Sequence, residues 1–454
     1  MMTLAEAAEA VAGRTSGAPA RFTGVSTDSR ALKAGELFVA LRGERFDGHD
    51  FLASAAERGA AAAMVDRAYG GPFPLPVLIV ADTRRALGDL ARTWRRRFSP
   101  ALVAITGSNG KTTVKEMLAA VLRLHAREEA ADEAAVLATA GNLNNDIGVP
   151  LTVLRLRAEH RWGVIELGMN HRGEIGYLAG IVAPTVALVN NAQREHLEFM
   201  RSVDEVAAEN ASVYDALPAH GVAVVNADDA RAQYLRRRAH PRQVVDFGLQ
   251  AGAVTGRYEL KQLSSEIHIR TPQGEADATL AIPGLHNVRN ALAAAACALA
   301  AGVPPARIGA GLSAFRPYIG RLQVKQGLAG VTVIDDTYNA NPDSVRAAID
   351  VLASCPRPTA LVLGDMGEVG AQGPQFHNEV GDYARAKGID ALLALGEATT
   401  HAVAAFGTGA RHFDGVDELV AAVEAKTVLV KGSRFMRRER VVAALTGAPV
   451  PGVH

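Results

Sequence analysis

Eight residues constrain this chain more than any others: TGSNGKTT at 106–113. They follow a short apolar run, LVAI at 102–105, and precede a helical pattern over 112–125. A strand that turns through glycines into a helix leaves backbone amides and the positive helix end facing one point, which is where a phosphate binds. Lys111 is placed to neutralise β- and γ-phosphates, and Thr112 to reach a magnesium ion. The match to the G-x-x-x-x-G-K-[ST] pattern is incomplete, because Ile105 stands where its first glycine would be. A nucleotide-binding α/β fold is the expectation.

The chain around this loop alternates apolar runs with helical patterns, which predicts mostly parallel sheets covered by helices. Strands are expected at 37–41, 60–65 and 77–80, then at 102–105, 163–167, 186–190 and 222–225. Four more are expected at 331–334, 360–363, 391–395 and 428–430. Residues 257–282 alternate polar and apolar and read as an antiparallel excursion. With 454 residues, about three domains are expected. They are a small N-terminal α/β domain (1–95), a central P-loop ATPase domain with a mostly parallel sheet (96–315) and a C-terminal α/β domain (316–454). The basic helical segment 84–97 reads as a solvated face.

Composition removes several classes. Lys plus Arg and Asp plus Glu both number 48, so no bulk charge favours nucleic acid. Two cysteines, Cys297 and Cys355, make no disulfide framework. The N-terminal MMTLAEAAEAVAG is not a signal peptide pattern, and the apolar stretch 291–301 is shorter than the ~20 residues of a membrane span. A cytoplasmic chain with neither nucleic acid nor membrane as partner is expected.

Other residues carry chemistry. Glu166 ends a strand pattern, GVIELGMN, where a carboxylate suits magnesium held against phosphate. His196 in REHLEF follows another strand. Asn287 and Asn290 share one face of a helix. GRLQ (320–323), DDTYNANPDS (335–344), LGDMGE (363–368) and VKGSRF (430–435) cluster polar groups at strand ends of the third unit.

Taken together, and with VSTDSRALKAGELFVALRG (25–43), DGHDF (47–51) and NNDIGVPLT (144–152), these motifs resemble the Mur ligase family, the ATP-dependent amide-forming enzymes of peptidoglycan assembly. DDTYNANPDS and LGDMGE look most like the member acting last in the cytoplasm. The resemblance implies a Rossmann-like C-terminal domain and ATP and Mg2+ as cofactors, with UDP-N-acetylmuramoyl-tripeptide and D-alanyl-D-alanine as substrates, handled by a monomer. It implies that Thr106, Gly107, Ser108, Asn109, Gly110, Lys111, Thr112 and Thr113 cradle the phosphates. Thr112, Glu166 and His196 would surround magnesium, with Lys111, Glu166 and His196 as the catalytic set. Asn287, Arg321 and Asp336 would meet the nucleotide. Ser29 and Arg30 would meet the UDP end; Tyr338, Asn339, Asn341, Lys431 and Arg434 would meet the dipeptide.

The chain departs from the family at one place. A lysine that the family carbamylates to bind a second magnesium aligns with Asn210, and no lysine lies between Lys115 and Lys261. Either Glu209 supplies the charge, or Asn210 binds through its neutral oxygen, or the second metal binds more weakly; the expectation is that Asn210 substitutes in the metal shell.

Overall fold

The computed structural model describes residues 1–44, 46–129 and 132–450. Three α/β layers follow one another along the chain. The first holds a five-stranded sheet in the order Arg14–Ser16, Val77–Val80, Ala62–Asp66, Leu37–Val39, Val25–Ser26, parallel except at the Arg14–Ser16 edge. DGHDF is a structural corner here. Asp47 caps the turn Gly48–Phe51, and buried His49 accepts the Asp66 N–H on Nε2.

The helix Thr83–Arg95 is not a solvated face. Leu87, Leu90, Ala91 and Trp94 join one apolar cluster with Val149, Val153, Leu178, Ile181 and Val182 of the central layer. Even its arginines are used. The Arg95 guanidinium is buried and donates to the carbonyls of Val182, Ala183 and Phe98. The charge count along this helix hides a second, apolar stripe of helical period.

The central sheet is parallel throughout, in the order Gln243–Phe247, Val222–Asn226, Val186–Val189, Ala101–Thr106, Trp162–Glu166, Val136–Ala138. Ala101–Thr106 lies in the middle, and its two neighbours supply Glu166 and the loop after Val189. Register places Glu166 opposite Ile105 and Val189 opposite Thr106, so three carboxyl ends open at one level. Ligands of open α/β sheets gather at such ends. The excursion is a three-stranded antiparallel sheet, Thr255–Leu260, Ser265–Thr271 and Gly274–Leu280. Helices Leu285–Ala300 and Pro305–Ala314 pack on the phosphate-loop helix Lys111–Glu128.

The C-terminal sheet runs Gln323–Gln326, Thr332–Asp336, Thr427–Lys431, Thr359–Gly364, Ala391–Leu395, Ala410–His412, parallel except at the Gln323–Gln326 edge. Cys297 and Cys355 are buried free thiols. No described helix is long and apolar enough to cross a membrane.

Candidate active site

The phosphate loop is built by sterics and then roped in place by amides. Gly107 (φ 128°) and Gly110 (φ 81°) hold left-handed backbone. A Cβ on Gly110 would stand 2.3 Å from Asn290 Oδ1, and one on Gly107 3.0 Å from the amides of Asn190 and Asn191. Asn191 Oδ1 accepts the Asn109 N–H at 2.8 Å, and Asn190 Nδ2 donates to the Asn109 carbonyl at 2.7 Å. Asn190 also donates to Asn290 Oδ1, and Asn290 donates to Asn287 Oδ1. Asn341, from the C-terminal layer, donates to Asn109 Oδ1 at 2.9 Å. Neutral amides fix this loop without adding charge of either sign.

Lys111 folds back over the loop. Its Nζ donates to the carbonyls of Gly107 (2.6 Å) and Ser108 (3.1 Å) and pairs with Glu195 at 3.3 Å. Thr112 Oγ1 donates to Glu166 Oε1 at 3.2 Å and accepts from Arg321 Nη2 at 2.9 Å. Glu166 Oε1 also accepts from Asn144 Nδ2 at 2.8 Å. Its other oxygen, Oε2, is buried without a hydrogen-bond partner. Such an orphaned carboxylate oxygen is costly unless a cation completes it. A hard divalent ion with oxygen ligands fits that place.

His196 reaches the same cavity wall and faces the C-terminal layer. It has φ 54°, and its Nδ1 lies 2.7 Å from Glu368 Oε2 of the C-terminal layer. The imidazole holds the Glu368 carboxyl below the usual carboxylate range. Across the cavity, Asp336 accepts the Leu322 N–H and a short contact from buried Lys431, whose Nζ also donates to the Asn339 carbonyl. The Arg321 and Arg434 guanidiniums lie 4.0 and 5.8 Å from the centroid of the Tyr338 ring, and burial raises its phenol above the ordinary value. Asn287 Nδ2 donates to the Pro283 carbonyl and to His286 Nε2. Burial pushes His286 down to about 4, so it is neutral and able to accept that bond at pH 7.

These groups wall a cavity of about 1520 Å³. One small-molecule pocket is roughly 300–1,000 Å³, so this one has room for more than one ligand. Ser108, Asn109, Gly110, Lys111, Thr113, Glu166, His196, Asn287, Arg321, Asp336, Tyr338, Asn339, Asn341 and Lys431 all reach its wall. Thr106, Gly107 and Thr112 lie behind it. Arg434 stands off it, behind Tyr338. Ser29 and Arg30 are elsewhere, in the N-terminal layer, where Arg30 is spent on Asp28 and largely exposed.

Asn210 departs from expectation. It has no exposed surface and does not reach the cavity. Thr106 Oγ1 donates to its Oδ1 at 2.6 Å, and its Nδ2 donates to the Val206 carbonyl at 2.9 Å. Glu209 is also turned away, accepting the N–H groups of Gly173 and Ile175 at the start of the helix Glu174–Val182. Neither is a metal-shell group here. Among the described residues no cluster of three or more His, Cys, Asp or Glu is arranged to hold a metal.

Sequence reasoning also passed over Asn144, Asn190, Asn191, Arg194 and Glu195. The runs NNDIG and NNAQREH just past strand ends were the available signal. Arg84 and Arg85, from the helix assigned to solvent, line the cavity as well.

Models of the Mur ligase family match three stretches: its catalytic domain over 21–95, the Mur ligase middle domain over 105–298 and the glutamate ligase domain over 320–434. The chain belongs to the Mur ligase family. It is therefore an ATP-dependent amide-forming ligase. The UDP-N-acetylmuramoyl-tripeptide–D-alanyl-D-alanine ligase of Escherichia coli K12 is 41% identical over 98% of each chain. Among solved structures, MurF from Acinetobacter baumannii is 36% identical, covers 98% of each chain and superposes with a TM-score of 0.89. MurF ligase from Thermotoga maritima in complex with ADP is 25% identical, covers 93% of this chain and 96% of its own, and gives a TM-score of 0.80.

Proposed function

We propose that this ligase joins D-alanyl-D-alanine to UDP-N-acetylmuramoyl-tripeptide, giving the UDP-muramoyl-pentapeptide precursor of peptidoglycan in the cytoplasm. The observation that carries the reading is the 41% identity to a ligase of that name across nearly the whole of both chains. The cavity supports it, because groups from all three layers converge on one space large enough for several ligands.

The chemistry is set by a poor leaving group. A carboxylate does not condense with an amine at neutral pH, so its oxygen first attacks the γ-phosphorus of ATP and ADP departs. The resulting acyl phosphate is attacked at carbon by the dipeptide amine. The C–O bond to phosphate breaks, and the amine's extra proton is lost. Lys111, released from Glu195 by an incoming phosphate, offsets charge on the transferring group. The loop amides and the start of the helix Lys111–Glu128 orient the phosphates. Thr112, Glu166 and His196 would hold Mg2+, which when bound neutralises phosphate charge. Asn287, Arg321 and Asp336 line the nucleotide side. Tyr338, Asn339, Asn341 and Lys431 line the side from which the dipeptide arrives, with Arg434 behind Tyr338. Ser29 and Arg30 belong to the layer that takes the UDP end, residues 1–95. Layers 96–315 and 316–454 take ATP and the dipeptide.

The test is ADP release with UDP-linked tripeptides bearing lysine or diaminopimelate, with and without D-alanyl-D-alanine. Turnover that depends on the dipeptide is expected with one of the two. Turnover with neither removes the reading.

A further inference from the structure

At the cavity, the C-terminal layer meets the central layer through polar groups, and one side chain makes more of these contacts than any other. Arg194 lies on the loop after the strand Val186–Val189, two residues before His196. Its Nη2 donates to Asp343 Oδ1 at 2.6 Å and its Nε to the same oxygen at 3.1 Å. Its Nη1 and Nη2 donate to Glu379 Oε2 and Oε1 at 2.7 and 3.0 Å. Its backbone N–H donates to Asp343 Oδ2 at 3.0 Å. The guanidinium also lies 5.3 Å from the centroid of the Phe376 ring. Asp343 is in the first turn of the helix Pro342–Ala353; Phe376 and Glu379 are on the helix Gly373–Ala386. One planar fork from the central layer therefore grips two helices of the C-terminal layer, a geometry that guanidinium supports and ammonium does not.

The grip falls where backbone strain is stored. His196 (φ 54°) and Glu368 (φ 59°) are both left-handed without being glycine, and they meet across this interface. Such conformations persist only where the surroundings over-determine them. The Arg194 N–H bond fixes the chain one residue before Glu195, which holds Lys111, and two before His196.

We propose that Arg194 is a positioning residue for ligation: it seats the loop bearing Glu195 and His196 only while the C-terminal layer is docked. The proposal rests on the ligase reading above. An acyl phosphate partitions between the dipeptide amine and water, and docking excludes water. Loosening the clamp therefore uncouples the two halves of the reaction. ATP is still cleaved, the acyl–O bond is broken by water instead of amine, and tripeptide is regenerated with phosphate.

The experiment uses the full chain as wild type, Arg194→Ala, Arg194→Lys, Glu379→Gln and the Arg194→Ala/Glu379→Gln double variant. ADP and amide product are counted in the same reaction, together with the KM for D-alanyl-D-alanine and the thermal midpoint. For Arg194→Ala, the ADP-to-product ratio rises from one to about three or more and the dipeptide KM rises about tenfold, the scale of losing one close interfacial charge pair. The thermal midpoint stays near wild type. Arg194→Lys falls between the two, and the double variant is no worse than Arg194→Ala because the residues act as a pair. A ratio of one and an unchanged KM in Arg194→Ala overturn the proposal. Additive losses in the double variant, or a fall in thermal midpoint that accounts for the lost activity, overturn it too. Wild type without dipeptide-dependent turnover removes the ligase reading and the clamp with it, whereas coupled wild type with coupled variants removes the clamp alone.

Discussion

Replacing Asn210 with alanine separates a metal-shell role from a bracing one. The side chain is fully buried and holds the Thr106 hydroxyl at the end of the strand that enters the phosphate loop. Removing it strands that hydroxyl without an acceptor, which costs about 1–3 kcal/mol. The small void left by the amide adds about 1 kcal/mol. The sum is about 2–4 kcal/mol. At about 2–4 °C per kcal/mol for a domain of 150–250 residues, the thermal midpoint should fall by about 4–16 °C. Thermal unfolding followed by circular dichroism gives this number directly. Magnesium titrations of ADP release, run well below the new midpoint, should show half-saturation within about twofold of wild type, since nothing that faces the cavity has changed. A variant with the wild-type midpoint and a strongly raised magnesium requirement would refute the brace and restore the metal-shell role.

Three other outcomes follow from the same contacts. Gly110→Ala drives a Cβ into Asn290 Oδ1 at a left-handed backbone position, so the KM for ATP should rise at least about tenfold, measured in steady-state ADP release. Arg95→Met leaves three carbonyls without their shared donor, so chemical denaturation should show about 2–3 kcal/mol less stability, with a loss within about 0.5 kcal/mol excluding the helix as a buried wedge. His377 donates from Nδ1 to the Gly373 carbonyl and accepts the Met366 N–H on Nε2, and burial lowers its affinity for protons. Its neutral form is the folded form, so the stability it contributes is complete above about pH 6.5 and declines as pH falls below that value. The thermal midpoint of wild type should drop between pH 7 and 5 more steeply than that of His377→Gln; parallel curves would exclude this residue as the cause.

The parallel sheets were legible because their buried strands read as short apolar runs; Val77–Val80 and Ala391–Leu395 match the expected bounds. The edges were not. Val136–Ala138 has only three residues, and Gln243–Phe247 carries polar Gln243 and Asp246, because an edge strand has one fewer neighbour to satisfy. At the site, Lys111 and Glu166 announce themselves by motif and strand end. Arg194 and the asparagines at 190 and 191 do not, because their partners lie about 80 to 185 residues away in sequence. Asn210 misled for the opposite reason. Its alignment position spoke of metal, while its surroundings, visible only after folding, supply a hydroxyl.

The two faces of the central layer differ in their polar content, and the difference has a consequence for salt. The helix Thr83–Arg95 joins the N-terminal layer to it through leucines, alanines and a tryptophan. The C-terminal layer meets it at the cavity through Arg194, Asn341, Arg321 and His196. Parting either face would expose apolar surface and carry a heat-capacity change, because one apolar cluster also joins Leu197, Val288 and Leu292 of the central layer to Val351, Met366 and Phe376 of the C-terminal layer; the second face adds charged and amide groups. Opening at the cavity should therefore respond to ionic strength as well as to temperature. Dissolved salt is thus a variable that should help set how often this enzyme's mouth stands open.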